Sequence, residues 1–361
     1  DETLEIGRKF TCGKECYPCI ITTGDMVRIV KSPGFKPAES IFFMPSTMGP
    51  CRFGQYNRLQ RIILDSLGYD DVPIVSPNQV NSLHKELKVC GKSVFRNTWR
   101  GVVAIDLLGD MSRRIRPYEV DRGETDMVYE KSLHMVLGSI ESGKNPSEAL
   151  KKAARLFKSV RTNGLGDKPA VGIVGEIFIR SNEFSNNHIV RKMEDLGAEV
   201  WLASISEWFL HVNRTVSMHA LIQKRYISLL VSLLTGYIQK RDEKILRMAA
   251  GRNQATNDEP SISRIWEYSS PYLPGWFGEA ALSMGRSRDY VEKGVSGIIN
   301  VMPFTCLPGT IAGAVFKRFQ EENGNIPFLS MAYDGLEQAN AELRLESFMH
   351  QAAQYKKYKH G

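Results

Sequence analysis

Two rhythms of apolar positions alternate along the chain. Short apolar runs closed by proline, glycine or a polar turn read as buried strands. They are Ser40-Ile41-Phe42-Phe43-Met44-Pro45, Val72-Pro73-Ile74-Val75-Ser76, Ala170-Val171-Gly172-Ile173-Val174-Gly175, Glu199-Val200-Trp201-Leu202-Ala203, Gly297-Ile298-Ile299-Asn300-Val301-Met302 and Ile326-Pro327-Phe328-Leu329-Ser330-Met331. Between them, apolar residues at intervals of three and four predict helices. In the helix over 53–67, Leu59, Ile62, Ile63 and Leu67 share a face and Gly68 closes it. Residues 80–162 read as mostly helical, with helices near 99–113, 123–142 and 146–160. The last of these has proline in its first turn, at Asn145-Pro146-Ser147-Glu148. Further helices are predicted over 186–196, 279–292, 309–321 and 336–354, with a long helical insertion at about 206–250. Residues 1–36 read as short-range and polar, and 251–261 as a polar loop.

Strands alternating with helices predict parallel sheets covered on both faces, with right-handed crossovers. The expected fold class is α/β: two Rossmann-like domains with parallel sheets covered by helices, plus the helical insertion. The Gly-rich stretch from Thr162 to Lys168 is the expected boundary. It separates an N-terminal α/β domain, 1–162, from a flavodoxin-like α/β domain, 168–361, that carries the insertion.

Composition narrows the classes. The chain has 361 residues, and ~150 residues per domain gives two or three. With 42% hydrophobic and 24% charged residues, it is neither disordered, collagen-like nor a disulfide scaffold. Its longest apolar stretches, such as Ile227–Val231 and Gly297–Val301, fall far short of the ~20 residues of a membrane span. The net charge of +7 is thinly spread. The one basic run, Tyr355-Lys356-Lys357-Tyr358-Lys359-His360, reads as a solvated tail rather than a nucleic-acid face. No nucleic-acid or membrane partner is expected, and a cytoplasmic location is. The cationic surplus suits polyanionic ligands such as nucleotides or coenzyme A. The first residue is Asp1 rather than Met, and no charged-then-apolar leader is visible, so a trimmed chain or part of a longer polypeptide is expected.

In open parallel sheets, ligands bind beyond the carboxyl ends of the strands. The residues that follow the predicted strands there include Cys51, Glu176 and Cys306. Cys51 and Cys306 each precede a helix, where backbone N–H groups and the positive helix end favour thiolate. A small buried hydrophobe is the plainer alternative. Cys12, Cys16 and Cys19 form C-x3-C-x2-C. Three thiols this close suit a metal or iron–sulfur site better than disulfides. Structural zinc usually adds a second CxxC or paired histidines, and the seven histidines here are scattered. Cys90 has no such context. There is no G-x-x-x-x-G-K-[ST], no G-x-G-x-x-G after a strand and no G-x-S-x-G. The spacing of Cys12, Cys16 and Cys19 is also that of radical S-adenosylmethionine enzymes. That reading needs a strand just before Cys12, and Ile6-Gly7-Arg8-Lys9-Phe10 is a poor one.

Several stretches together resemble the 2-hydroxyacyl-CoA dehydratase component superfamily, and within it the activase-related, double-cubane branch. They are Gly13-Lys14-Glu15-Cys16-Tyr17-Pro18, Gly49-Pro50-Cys51-Arg52-Phe53-Gly54-Gln55-Tyr56, Arg116-Pro117-Tyr118-Glu119, Gly172-Ile173-Val174-Gly175-Glu176 and Met302-Pro303-Phe304-Thr305-Cys306-Leu307-Pro308-Gly309-Thr310. Tyr333-Asp334-Gly335 and Arg344-Leu345-Glu346-Ser347-Phe348 extend the likeness nearly to the C-terminus. The resemblance implies an oxygen-sensitive protein holding an iron–sulfur cluster, a [4Fe-4S] centre or a double cubane, between two α/β domains. It also implies an ATP-hydrolysing activase, separate or fused, as electron donor. The substrate would be an acyl-CoA or another small molecule, turned over by a lyase or reductase component that is a homo- or heterodimer. A non-catalytic electron-transfer module of a larger activase is the alternative. Carried over by motif, Cys16, Cys51 and Cys306 are the firmest ligands, with Cys12 next and Cys19 in reserve. Glu176 matches a strand-end glutamate facing cluster or substrate, or simply closing its strand. On this reading Cys16, Cys51 and Cys306, far apart in sequence, converge.

Overall fold

The computed structural model describes residues 2–47, 49–78, 94–251, 259–336 and 340–360. Cys90 and the expected helical stretch 80–93 lie outside them. The chain starts with two packed helices, α1 (Glu2–Lys9) and α2 (Tyr17–Val30). Residues 1–36 are therefore not short-range structure as expected. Pro18 sits in the first turn of α2, where its missing N–H costs nothing. Tyr17, Ile20 and Ile21 pack with Leu4 into one core, while Cys16, Cys19 and Met26 pack into another. A helix buried on two sides shows no single apolar stripe, which is why its sequence pattern reads poorly.

Next come β1 (Phe42–Phe43), α3 (Tyr56–Ser66) and β2 (Ile74–Val75). The two strands are parallel, Phe42 opposite Ile74 and Phe43 opposite Val75, and a bridge from Ser46 to Asn78 prolongs them. Arg61 of α3 donates to the carbonyls of Tyr69 and Val72, pinning the turn that leads into β2. Three helices follow: α4 (Val94–Ile115), α5 (Glu124–Glu141) and α6 (Ser147–Ser159).

The main sheet begins with β3 (Ala170–Gly175), α7 (Ile177–Ser181), α8 (Ile189–Asp195) and β4 (Glu199–Leu202). After it run α9 (Ile205–Ile222), α10 (Tyr226–Ala250), α11 (Ile262–Ser269) and α12 (Glu279–Glu292). The chain then returns to the sheet through β5 (Gly297–Pro303), α13 (Leu307–Glu322), β6 (Phe328–Tyr333) and α14 (Ala341–His360). The strands are all parallel in the order β4-β3-β5-β6. One face is covered by α1, α2, α8 and α14, through residues such as Leu4, Ile20, Met193 and Phe348. The other is covered by α12 and α13, through Met284, Tyr290, Phe316 and Phe319.

The protein is thus α/β, with one four-stranded and one two-stranded parallel sheet among the described residues. Packing crosses the Gly-rich stretch 162–168, because α1 and α2 lie on the main sheet. The helical insertion expected at 206–250 corresponds to α9 and α10. Leu246, Ala249 and Ala250 of α10 are buried among α4, α5 and α6, so the far end of α10 completes that helical bundle. No helix among the described residues is long and apolar enough to cross a membrane.

Bundle and sheet are joined by a buried ion cluster. Arg286 of α12, 2% exposed, donates to Glu207 of α9 and to Glu259, and lies 3.3 Å from Asp289. Taking charges out of water is costly, and the arrangement holds only while every member is paired. Arg286→Leu takes the guanidinium from Glu207 and Glu259, while Asp289 keeps Lys293 at 2.8 Å, and should cost about 3–5 kcal/mol, read by urea unfolding. On α9, His211 is buried and accepts a hydrogen bond from Trp266 Nε1 at 3.1 Å. Burial pushes its imidazole down to about 4. The unfolded chain takes up that proton near pH 6.5, so between the two values the unfolded state binds more protons. Stability therefore falls as the pH drops from about 6.5 towards 4. His211→Gln keeps an acceptor for Trp266 and should flatten that part of the stability–pH curve in the same unfolding assay.

Candidate cysteine site at the carboxyl ends of the strands

From β3 the chain moves outward to β4, and later returns to the other side of β3 as β5 and β6. The point where the order reverses is where an open α/β sheet leaves a crevice. Its two walls are the ends of β3 and β5. Gly175 ends β3 with φ +119, and a Cβ built there would lie 2.0 Å from the Val301 carbonyl oxygen, so only glycine fits. Glu176 N donates to the same carbonyl at 2.9 Å. The Glu176 carboxylate then accepts from Phe178 N at 3.1 Å and Ile179 N at 2.8 Å, capping α7. Beyond β5, Thr305 adopts φ +60, a left-handed conformation that β-branched residues rarely take. Backbone strain of this kind persists where the surroundings hold it, and often marks a functional site. Cys306 follows at the N-terminus of α13.

Three cysteines occupy nearly the same backbone position. Cys16 precedes α2 with φ −62 and ψ 142, and Cys306 precedes α13 with φ −66 and ψ 123. Cys51, with φ −67 and ψ 127, precedes a short 3-10 turn, Arg52–Gln55, that leads into α3. Backbone N–H groups reach two of the sulfurs, Phe53 N–H to Cys51 and Gly309 N–H to Cys306. The Tyr56 hydroxyl hydrogen-bonds the Cys16 thiol. One guanidinium joins the three loops. Arg52 donates to the Lys14 carbonyl at 2.6 Å, to the Thr305 carbonyl at 2.9 Å and to Thr305 Oγ1 at 2.6 Å. Arg52 follows Cys51, Lys14 lies two residues before Cys16, and Thr305 immediately precedes Cys306.

The electrostatics agree with this convergence. Cys51 and Cys306 both feel the charges of Glu279, Glu176 and Cys16. Burial, reinforced by those charges, pushes the thiols of Cys51 and Cys306 up. Glu279, the first residue of α12, accepts from Ile177 N at 3.1 Å. Burial, then the neighbouring Glu176, push its carboxyl up to about 8, so Glu279 holds a proton at neutral pH. Burial likewise raises Glu176, against the pull of its two capping N–H groups. The crevice is thus lined by the neutral thiols of Cys51 and Cys306 and by a carboxyl pair that shares its charge.

Cys16, Cys51, Cys306 and Glu176 are thus brought together. Cys12 is exposed on the loop after α1. Cys19 is buried beside Met26, Met44 and Tyr56, and burial pushes its thiol up to about 12. Among the described residues no three His, Cys, Asp or Glu side chains are placed to hold a single metal ion. The donor set nonetheless fits a polynuclear iron–sulfur cluster: thiols from three separate loops, two of them buried, and N–H groups aimed at two sulfurs. Sequence reasoning missed Glu279, Tyr56 and Arg52. The last two sit inside the Gly49–Tyr56 motif that supplied Cys51. Glu279 opens a helix rather than ending a strand, so strand-end reasoning never reached it.

Comparison of the chain with protein-family models, curated proteins and solved structures finds no match. Among the five described cysteines, timed alkylation of the metal-free protein, followed by peptide mass spectrometry, should modify the exposed Cys12 first and the buried Cys19 last. Arg52→Met should speed modification of Cys16 and Cys306 several-fold without changing Cys12. Unchanged rates at all three would mean that the guanidinium does not hold the loops closed.

Proposed function

We propose that this chain is an iron–sulfur protein of the 2-hydroxyacyl-CoA dehydratase type, a lyase or reductase component working in the cytoplasm. The observation that carries the reading is the Arg52 clasp, which draws the Cys16, Cys51 and Cys306 loops to one crevice. These cysteines are the proposed ligands of a [4Fe-4S] cluster, or of one part of a double cubane. Cys12, on the loop ahead of Cys16, is the fourth candidate. These residues would hold the cluster between the β1–β2 unit and the main sheet. When bound, it supplies low-potential electron transfer, with an ATP-hydrolysing activase as the proposed donor.

The protein's own groups set the conditions for that chemistry. Thiols raised by burial must lose their protons on loading, so cluster binding is coupled to proton release. Phe53 N–H and Gly309 N–H donate to sulfur and so influence the reduction potential. Glu279 holds a proton on its carboxyl beside Glu176, where a small 2-hydroxyacyl or related substrate would exchange it. The net charge of +7 suits an anionic coenzyme A ester. The alternative that uses Cys12, Cys16 and Cys19 alone is less well supported. The segment ahead of Cys12 is helix α1, and Cys19 packs against apolar side chains.

The test is iron and acid-labile sulfide analysis after anaerobic reconstitution, with electron paramagnetic resonance of the reduced protein. Cys16→Ala, Cys51→Ala and Cys306→Ala should each remove more than about half of the iron, since losing one thiolate destabilises the whole cluster. Cys90→Ala should leave it unchanged, and Cys12→Ala separates a three-thiol site from a four-thiol one. Full iron content in both Cys51→Ala and Cys306→Ala would end the proposal.

A further inference from the structure

The lower half of α10 is held inside the helical bundle. Trp99 Nε1 donates to the Gln239 carbonyl at 3.0 Å, Arg96 and Arg100 pair with Asp242, and Leu246 is buried. The upper half, from Tyr226 to Ile238, pairs with α9 and projects as a two-helix prong. Its polarity is inverted. The face turned to α9 carries Ser232, whose hydroxyl meets Ser217 at 2.9 Å, and Gly236, which lies close against Asn213. The opposite face carries Ile227, Val231, Leu234 and Ile238, at intervals of four, three and four. That is the spacing of a coiled-coil seam. All four are exposed, Ile227 by 83%.

Leu230 and Tyr237 widen the stripe, and Leu221 and Ile222 extend it onto the end of α9. Together these side chains leave on the order of 600–1,000 Å² of apolar surface open. A typical monomer shows a largest patch of roughly 300–600 Å², and each partner in a standard interface contributes ~800 Å². No Asp, Glu, Lys or Arg occurs from Tyr226 through Gln239. A seam without charge offers a foreign partner no electrostatic register to read, whereas a second copy of the same stripe meets it like for like.

We propose that the prong is a homodimer interface, in which α9 and α10 of two copies pack about a two-fold axis into a four-helix arrangement. An isologous contact needs one self-complementary patch, and the seam is one. The pairing lies on the bundle side of the molecule and draws nothing from the cysteine crevice, so it is independent of the proposed cluster.

Sedimentation velocity on the full chain tests this. The wild-type protein should be a dimer at micromolar concentration. Leu234→Glu, and separately Ile227→Glu, should weaken self-association about 100-fold or more, as loss of a central interface anchor does. Both should keep the wild-type circular dichroism spectrum, because each side chain already faces outward in the single chain, and both should lose the concentration dependence of melting that a dimer shows. A wild-type protein that stays monomeric overturns the proposal, as does a folded Leu234→Glu that still dimerises. So does a wild-type monomer that co-sediments with phosphatidylserine vesicles, since the prong would then be a membrane-surface device.

Discussion

Three long helices, α2, α12 and α13, start at the same crevice. Each directs about half a unit of positive charge there from its aligned peptide dipoles. Like ends repel, and burial strengthens the repulsion by removing the water that would screen it. Such a convergence is tolerable only when electron-rich groups occupy the centre. The protein supplies them as the carboxyls of Glu176 and Glu279 and the sulfurs of Cys16, Cys51 and Cys306. Even so, burial keeps much of that set protonated in the metal-free chain. The crevice thus sets three converging helix starts against side chains that burial leaves largely uncharged.

The placement of Cys16 relative to the other two cysteines rests on α2. One side of that helix belongs to the main-sheet core with Leu4, Ile20 and Ile21, and the other to the small core with Met26, Met44 and Tyr56. Because α2 is shared, the β1–β2 lobe cannot shift against the main sheet without disturbing both cores. Closely packed interiors transmit such shifts rather than absorbing them. Arg286 plays the corresponding part on the far side, where it fastens α9, and through it the bundle, to α12. Each junction is buried, so the crevice is framed by rigid contacts rather than by loops alone.

Much of the main sheet was legible from apolar rhythm. The strand at 170–175 and the helix at 279–292 fall where the pattern places them, the strand because it is a simple buried run. The pattern failed where one element serves two neighbours. In α2, apolar residues lie on both sides and Thr22, Thr23 and Asp25 interrupt them, so the periodicity is blurred. At the site, Cys51, Cys306 and Glu176 were visible because strand ends are where α/β sheets put chemistry. Glu279 was not, since only the folding of α12 against β3 carries it to Glu176. For α10 the sequence pattern predicts a helical insertion at about 206–250, but not the outward direction of its apolar residues. A helix that turns serine and glycine inward contradicts the usual assignment of apolar to core.

The Arg52 clasp treats its partners unequally. At Lys14 it grips a main-chain carbonyl, which every residue type provides, whereas at Thr305 it takes both the carbonyl and the hydroxyl. Lys14 is therefore free to drift in the course of evolution, provided the loop keeps its path. Thr305 is held by its hydroxyl, against a left-handed backbone that by itself favours glycine or asparagine. The crevice is thus inherited mainly through the course of the chain, and only a few positions fix its spelling.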